Sequence, residues 1–235
     1  MQRKMRLTRA LVDIIPERVE DPGESEMERN FAAENHPETT ADDIISRLPD
    51  DGDLWVFAFG SLIWKPRFPH VEKRCATIKG WQRAFCLGPD IRYRGNPDAP
   101  GLMLSLDTGG TCEGIAYRLP TDNLRENLLH LLADEPPIAP VWVNAKTAQG
   151  KVRCIAHVCP RDCAAYVGGL SEEEIAEHLH LAVGMWGSMP DYLLNTVAHL
   201  EDAGIHDPYL WRMQVLVAKR LEKIGAAITV ANSGH

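Results

Sequence analysis

Between Asp53 and Gly60 lie six consecutive apolar residues, Leu54-Trp55-Val56-Phe57-Ala58-Phe59. The run is short for a helix and rich in strand formers, so it reads as one buried strand. It stops at Gly60-Ser61. A glycine there permits a turn with positive φ and lets a ligand approach the backbone closely. The N–H groups of such a turn, with the Ser61 hydroxyl, form a concave nest suited to a carboxylate or an oxyanion. Trp64 and Pro66 stiffen its rim. The same residues equally describe an ordinary buried strand closed by a turn, and by themselves they leave both readings open.

Further strands follow at short spacing. Arg74 to Leu87 reads as one bent strand or as two strands broken at Gly80. Leu102–Leu106 and Thr111–Leu119 flank Asp107-Thr108-Gly109-Gly110, a hairpin pattern. Val141–Ala145 and Lys151–Val158 flank Gln149-Gly150. Strands joined by short turns imply antiparallel pairing. Between these sets, Thr121-Asp122-Asn123 offers caps for a helix with Leu124, Leu128, Leu131 and Leu132 inward. Asp134 and Glu135 end that helix, and Pro136-Pro137 prevent its continuation. The last third is helical. Ser171 with Glu174 is a capping-box pattern. A loop over 184–190 leads to a helix from about Asp191 to Ala203, closed by Gly204. Asp207-Pro208 opens a final helix through Leu221. The chain is therefore α+β.

The flanks differ from this body. Residues 1–12 suggest a short helix with Leu7, Ala10 and Leu11 on one side. Residues 13–52 are charged and turn-rich, with a short helix expected near Ile44, Ile45 and Leu48. Few apolar residues there offset ordering entropy, so the segment reads as an extended or mobile arm. The division expected is a polar extension over 1–52, one domain over 53–223 and a tail over 224–235.

A formal charge of -8 argues against nucleic acid as the main partner, because phosphate binding wants a basic face. No apolar run is long enough to cross a bilayer. The basic N-terminus lacks a sustained apolar stretch or a small-residue cleavage site, which points to a cytoplasmic protein. The six cysteines, Cys75, Cys86, Cys112, Cys154, Cys159 and Cys163, read as free thiols in a reducing compartment. Cys159 and Cys163 have a zinc-like spacing without a second pair, and His178 and His180 fall on different helix faces, so no metal site is expected. The sequence carries no reading of oligomeric state.

Glu135 is the candidate catalytic residue. A carboxylate at a helix end, against prolines and near Trp142, loses solvent, and its pKa rises toward neutral. Such a group can take a proton from an amine and return it elsewhere. A solvent-exposed acid at a helix end is the plain alternative, and Asp134 is a shorter competitor. Arg92 and Arg94 suit paired hydrogen bonds to a carboxylate.

Phe59-Gly60-Ser61-Leu62 with Ile63-Trp64-Lys65-Pro66 resembles the Tyr-Gly-Ser-Leu loop of the gamma-glutamylcyclotransferases, in particular their ChaC-like, glutathione-specific branch. The likeness continues through Gly80-Trp81-Gln82-Arg83-Ala84-Phe85, Arg94-Gly95, Pro100-Gly101-Leu102 and Gly114-Ile115-Ala116-Tyr117-Arg118. It resumes at Pro140-Val141-Trp142-Val143, at Tyr166-Val167-Gly168-Gly169-Leu170 and at Gly187-Ser188 with Asp191-Tyr192-Leu193, spanning roughly residues 50–220. It implies a small, mixed, mostly antiparallel β-barrel with flanking and C-terminal helices. It implies conversion of glutathione to 5-oxoproline and Cys-Gly by intramolecular aminolysis, without metal or organic cofactor. Glu135 is then the acid/base. Val56, Phe57, Ala58, Phe59, Gly60, Ser61 and Leu62 bind the γ-glutamyl group, with Arg94 as a further substrate contact. The chain departs from the family pattern at three places. Phe59 replaces the loop tyrosine, and Tyr93 stands where a histidine precedes Arg-Gly. The Glu135 segment lacks the arginines of Arg-Arg-Glu-Met, is about three residues shorter and has Ile138 in place of a tyrosine. A gamma-glutamyl-binding protein without chemistry, or a cyclotransferase for other gamma-glutamyl amines, are the alternatives.

Overall fold

The computed structural model describes residues 3–233. They divide into two compact units. One comprises residues 24–84 and 105–163, and the other the described parts of 1–23, 85–104 and 164–235. Residues 1–52, expected as one extension, thus contribute to both units.

In chain order the elements are α1 (Arg9–Val12), α2 (Glu26–Glu34), α3 (Pro37–Ser46), β1 (Trp55–Ala58), a 3₁₀ turn (Ser61–Ile63), β2 (Glu72–Asp90) and β3 (Gly101–Arg118). Then come α4 (Leu124–Asp134), β4 (Val141–Thr147), β5 (Gly150–Ala156), α5 (Glu172–Leu179), β6 (Val183–Gly184), β7 (Gly187–Ser188), α6 (Met189–Asp202) and α7 (Pro208–Ser233). Strands β1-β3-β2-β4-β5 close into a barrel in that order, and β6 and β7 make a separate two-stranded sheet. The barrel contacts β1–β3, β2–β4 and β4–β5 are antiparallel, and β1–β5 is parallel. The expected mixed, mostly antiparallel barrel is the fold observed.

Arg74 to Leu87 is one strand, with Gly80 at φ +82°. The hairpin expected at Asp107–Gly110 does not form, and β3 runs unbroken through it. Gly109 and Gly110 take φ +108° and +65°. Both angles favour glycine and bend the strand instead of reversing it. The Gln82 side chain lies against Gly110, where a Cβ would meet its Oε1 at 3.1 Å. Asn123 caps α4 in the left-handed region, φ 57°, without a side-chain hydrogen bond, contrary to the expected N-cap.

Alternation along the strands sorts the barrel's two faces. Trp55 and Phe57 of β1, Val143 and Ala145 of β4, and Cys154 and Ala156 of β5 meet Ile78, Leu106, Cys112 and Ala116 in one buried cluster. Val56, Ala58 and Ile155 face the opposite way and are also buried. On that outer side Arg153 of β5 donates to the Arg47 carbonyl at the end of α3, 3.2 Å. Helix α3 in turn joins α4 through Arg125, whose Nε lies 2.8 Å from Asp42. The buried residues of this pair are Ala41 and Ile44 of α3 with Leu128, Leu131 and Leu132 of α4.

In the other unit the N-terminal segment is docked. Leu7, Val12 and Ile15 are buried. The Gln214 side chain of α7, itself fully buried, accepts from the Arg6 and Leu7 amides at 3.0 and 2.9 Å. The helix expected over 1–12 is a single turn, α1, and its first two residues lie outside the described ones. Helix α5 has the expected capping box, with Ser171 and Glu174 bonded reciprocally. Helix α7, expected to stop at Leu221, runs on to Ser233, since no proline follows and Gly225 is accommodated within it. Among the described residues no helix is long and apolar enough to cross a membrane. None of their His, Cys, Asp and Glu side chains gather in threes or more to hold a metal.

Candidate active site

The register gathers three segments at one barrel rim. Val56 of β1 pairs in parallel with Ile155 of β5, so both strands finish at the same end. Val141 of β4 pairs with Ala156 in antiparallel sense, so β4 begins there. That end carries the Gly60–Leu62 turn after β1, His157 after β5, and the 135–140 segment before β4.

The turn is built closely. The Gly60 carbonyl accepts from the Ile63 amide at 3.0 Å, and the Ser61 carbonyl from those of Trp64 and Lys65 at 3.1 and 2.8 Å. Ser61 and Leu62 precede the first donor of this short helix, so the helix itself gives their N–H groups no acceptor. Gly60 does not adopt the positive φ expected of it; its φ is −130°.

Three neighbours hold the turn. The buried Arg83 donates through Nε to the Phe59 carbonyl, 2.7 Å, and through Nη2 to the Glu113 carbonyl. Gly114 of β3 admits the end of β1, since a Cβ on it would lie 2.3 Å from the Ala58 carbonyl oxygen. The Tyr117 hydroxyl donates to the Ile63 carbonyl at 3.2 Å, and its ring meets Phe68 and His70 edge-on at 5.8 and 4.7 Å.

Glu135 is the C-cap of α4, with extended backbone. It follows the buried Leu128, Leu131 and Leu132 of that helix. The residue is half-buried, yet protein atoms crowd its carboxyl. Burial pushes its pKa up to about 8, the Asp134 carboxylate adds to the rise, and the Arg67 guanidinium opposes it. Arg67 stands six residues after Ser61, and its Nη1 lies 3.7 Å from the Asp134 carboxylate. This pair ties the chain leaving the turn to the end of α4. The desolvated carboxylate expected at 135 is therefore present, and Asp134 is engaged by Arg67.

Arg94 falls in the other unit. It is buried, with its guanidinium 5.0 Å from the Tyr192 ring centroid, and its amide donates to Asp90 at 2.6 Å. Arg92 is ion-paired with Asp21 at 2.8 Å.

Four residues of the rim carry no site role in the sequence reading: Arg67, Arg83, Gly114 and His157. Arg83 has a legible signal, an arginine between Trp81 and Phe85 on one strand face, which marks a cation that must find buried acceptors. His157 follows the apolar Ile155-Ala156 and precedes Val158. Burial holds its pKa down to about 4, so it is neutral near pH 7. Arg67 and Gly114 have no local signal, because their partners are distant in sequence.

The arrangement sets a carboxyl of raised pKa and a turn of backbone donors at one rim. Comparison with known proteins gives a concordant result. The description "ChaC-like protein" matches residues 54–220. A glutathione-specific gamma-glutamylcyclotransferase of Escherichia coli (strain K12) is 33% identical over 177 residues, 74% of this chain and 76% of that one. Glutathione-specific gamma-glutamylcyclotransferase 1 of Homo sapiens is 28% identical over 191 residues, 76% of this chain and 86% of that one. Among solved structures, a yeast gamma-glutamyl cyclotransferase specific to glutathione superimposes with a TM-score of 0.64 at 21% identity, covering 71% of this chain and 96% of that one. That likeness is one of fold, and it matches the barrel with its helices. With the family match extending from Leu54 to Arg220, and so taking in both the Gly60 turn and Glu135, the chain belongs to the ChaC-like protein family.

Proposed function

We propose that this protein is a glutathione-specific gamma-glutamylcyclotransferase, with Glu135 as its acid/base and the Val56–Leu62 segment as its γ-glutamyl-binding turn. The observation that carries the reading is the Glu135 carboxyl, shifted by burial to about 8 at the rim that bears the turn. A carboxyl of that pKa exchanges protons with amines near neutral pH. The E. coli relative's name supplies the substrate class.

The reaction needs the γ-glutamyl chain to fold on itself. Free glutathione carries its α-nitrogen as an ammonium, which cannot attack. Placed beside Glu135, that cation favours the carboxylate, which takes one proton from it. The freed amine attacks the γ-carbonyl carbon, and a C–N bond closes a five-membered ring. The carbonyl oxygen becomes an oxyanion, and the amides at the start of the Ser61 turn stabilise it. As the intermediate collapses the original γ-amide C–N bond breaks. Two protons leave the α-nitrogen, and two arrive on the departing nitrogen, which ends as an ammonium; Glu135 carries the first of them. The products are 5-oxoproline and Cys-Gly. The nucleophile belongs to the substrate, so the protein's part is orientation, proton transfer and charge stabilisation.

A cytoplasmic setting fits this reading, because the buried Cys154 and the partly exposed Cys163 are free thiols. The test is incubation of the purified protein with glutathione and measurement of 5-oxoproline. Wild type releases it, and Glu135→Gln lowers the rate on the order of 10³-fold. Binding of glutathione without release would leave a gamma-glutamyl-binding protein. Release from other gamma-glutamyl amines alone would move the substrate assignment.

A further inference from the structure

His157 lies at the same rim and has no part in the chemistry above. Counting on from the Val56–Ile155 pair sets it level with Ala58. Counting on from the Val141–Ala156 pair sets it beside Pro140, the last residue of the Glu135 segment. Alternation settles its face. Cys154, Ala156 and Val158 belong to the cluster inside the barrel. His157 therefore shares the outer face with Ile155 and Ala58, the side on which α3 is tied to β5. Helix α4, which Glu135 caps at its C-terminal end, belongs to this same helix pair.

Its Nε2 atom is sealed from solvent and has no hydrogen-bond partner among the described residues. A buried nitrogen in that state is less stable than a bonded one. Buried polar atoms left without protein partners are met by ordered water or by a ligand. The position favours a ligand, because the register sets it at the rim that also carries the Ser61 turn and the Glu135 segment.

We propose that His157 is a substrate-contacting residue, whose Nε2–H donates a hydrogen bond to the α-carboxylate of the γ-glutamyl group. The proposal rests on the reading under Proposed function and adds a specificity residue to it. The α-carboxylate and the α-ammonium share one carbon. A group bound with its ammonium at Glu135 therefore sets its carboxylate within a few ångströms of the same carboxyl and needs a donor there. A neutral imidazole supplies one without adding a cation that would lower the pKa of Glu135.

Three variants separate the contact from mere packing. In His157→Gln the amide nitrogen sits close to the position of Nε2, in His157→Asn close to that of Nδ1, and in His157→Phe the ring volume stays while both nitrogens go. The expected result is a KM for glutathione raised about tenfold in the Phe and Asn variants, with kcat within threefold, and a KM near wild type in the Gln variant. Gln and Asn behaving alike, or Phe leaving KM unchanged, overturns the proposal. A second measurement does not depend on turnover. In protein carrying ¹⁵N-histidine, the Nε2 resonance absent from His157→Gln shifts when glutathione is added. If that resonance does not respond to saturating glutathione, Nε2 is bonded to water and the contact is refuted. If it responds while wild type releases no 5-oxoproline, the reaction assignment fails and the contact stands. Release by wild type with an unaltered KM in His157→Phe gives the converse.

Discussion

Arg67 and Asp134 face one another at 3.7 Å, with Glu135 as the next residue on the chain. The two charges act on Glu135 in opposite directions, Asp134 raising its pKa and Arg67 lowering it. At pH 7 only a minor fraction of Glu135 is ionised, so kcat/KM rises with pH through the region near 8. Asp134→Asn removes a like charge and moves this limb to lower pH, increasing kcat/KM at pH 7 about two- to threefold. Arg67→Gln moves it to higher pH and lowers the same quantity by about as much. pH–rate profiles of the three proteins check both directions, and a limb that moves the same way in both variants would contradict the assignment.

The raised pKa also acts on stability. Between pH 4.5, the ordinary value, and about 8 the folded protein holds a proton on Glu135 that the unfolded chain has lost. Stability from this group therefore falls as pH rises through that window. Glu135→Gln cannot lose a proton, so above pH 8 it melts roughly 5–10 °C higher than wild type. The gap closes below pH 4.5. Thermal unfolding across pH 4 to 9 measures it.

Gly114 is indispensable for geometric reasons. An added Cβ would stand 2.3 Å from the Ala58 carbonyl oxygen and 2.9 Å from the Phe57 ring. Backbone cannot yield as a flexible side chain does. Gly114→Ala costs about 2–3 kcal/mol in urea unfolding. It also displaces the strand that leads into the Gly60 turn, so the refolded variant loses activity beyond what its folded fraction explains.

Gln214 fastens the N-terminal segment through two backbone amides. Gln214→Leu keeps the apolar bulk and leaves the buried Leu7 amide without its acceptor, at about 1–3 kcal/mol. Limited proteolysis then cuts within residues 3–15 at protease levels that spare the wild type. Equal resistance of the two proteins would show that burial of Leu7 and Val12 suffices.

How much the sequence disclosed depended on distance along the chain. The strand ending at Gly60, the helix stopped by Pro136-Pro137 and the Ser171 capping box were all legible, because each is decided within a few residues. Glycine pairs were ambiguous by nature. Asp107-Thr108-Gly109-Gly110 suits a hairpin or a bend within one strand, and pairing across the barrel, with Gln82 lying against Gly110, selected the bend. The anchoring of the N-terminal segment was out of reach for a similar reason. Its few apolar residues are too sparse to hold themselves, and they are ordered by a glutamine some two hundred positions away.

Residue chemistry and local spacing alone settled the class of the fold, the turn at Gly60-Ser61 and the acidic residue that ends a helix beside two prolines. Tertiary structure decided what that acid is. Only closure of the barrel, with β1 and β5 parallel, brings the turn, His157 and the Glu135 segment to one rim. Only the packing there crowds the half-buried Glu135 carboxyl, and partial desolvation is a property of surroundings that no run of neighbouring residues encodes.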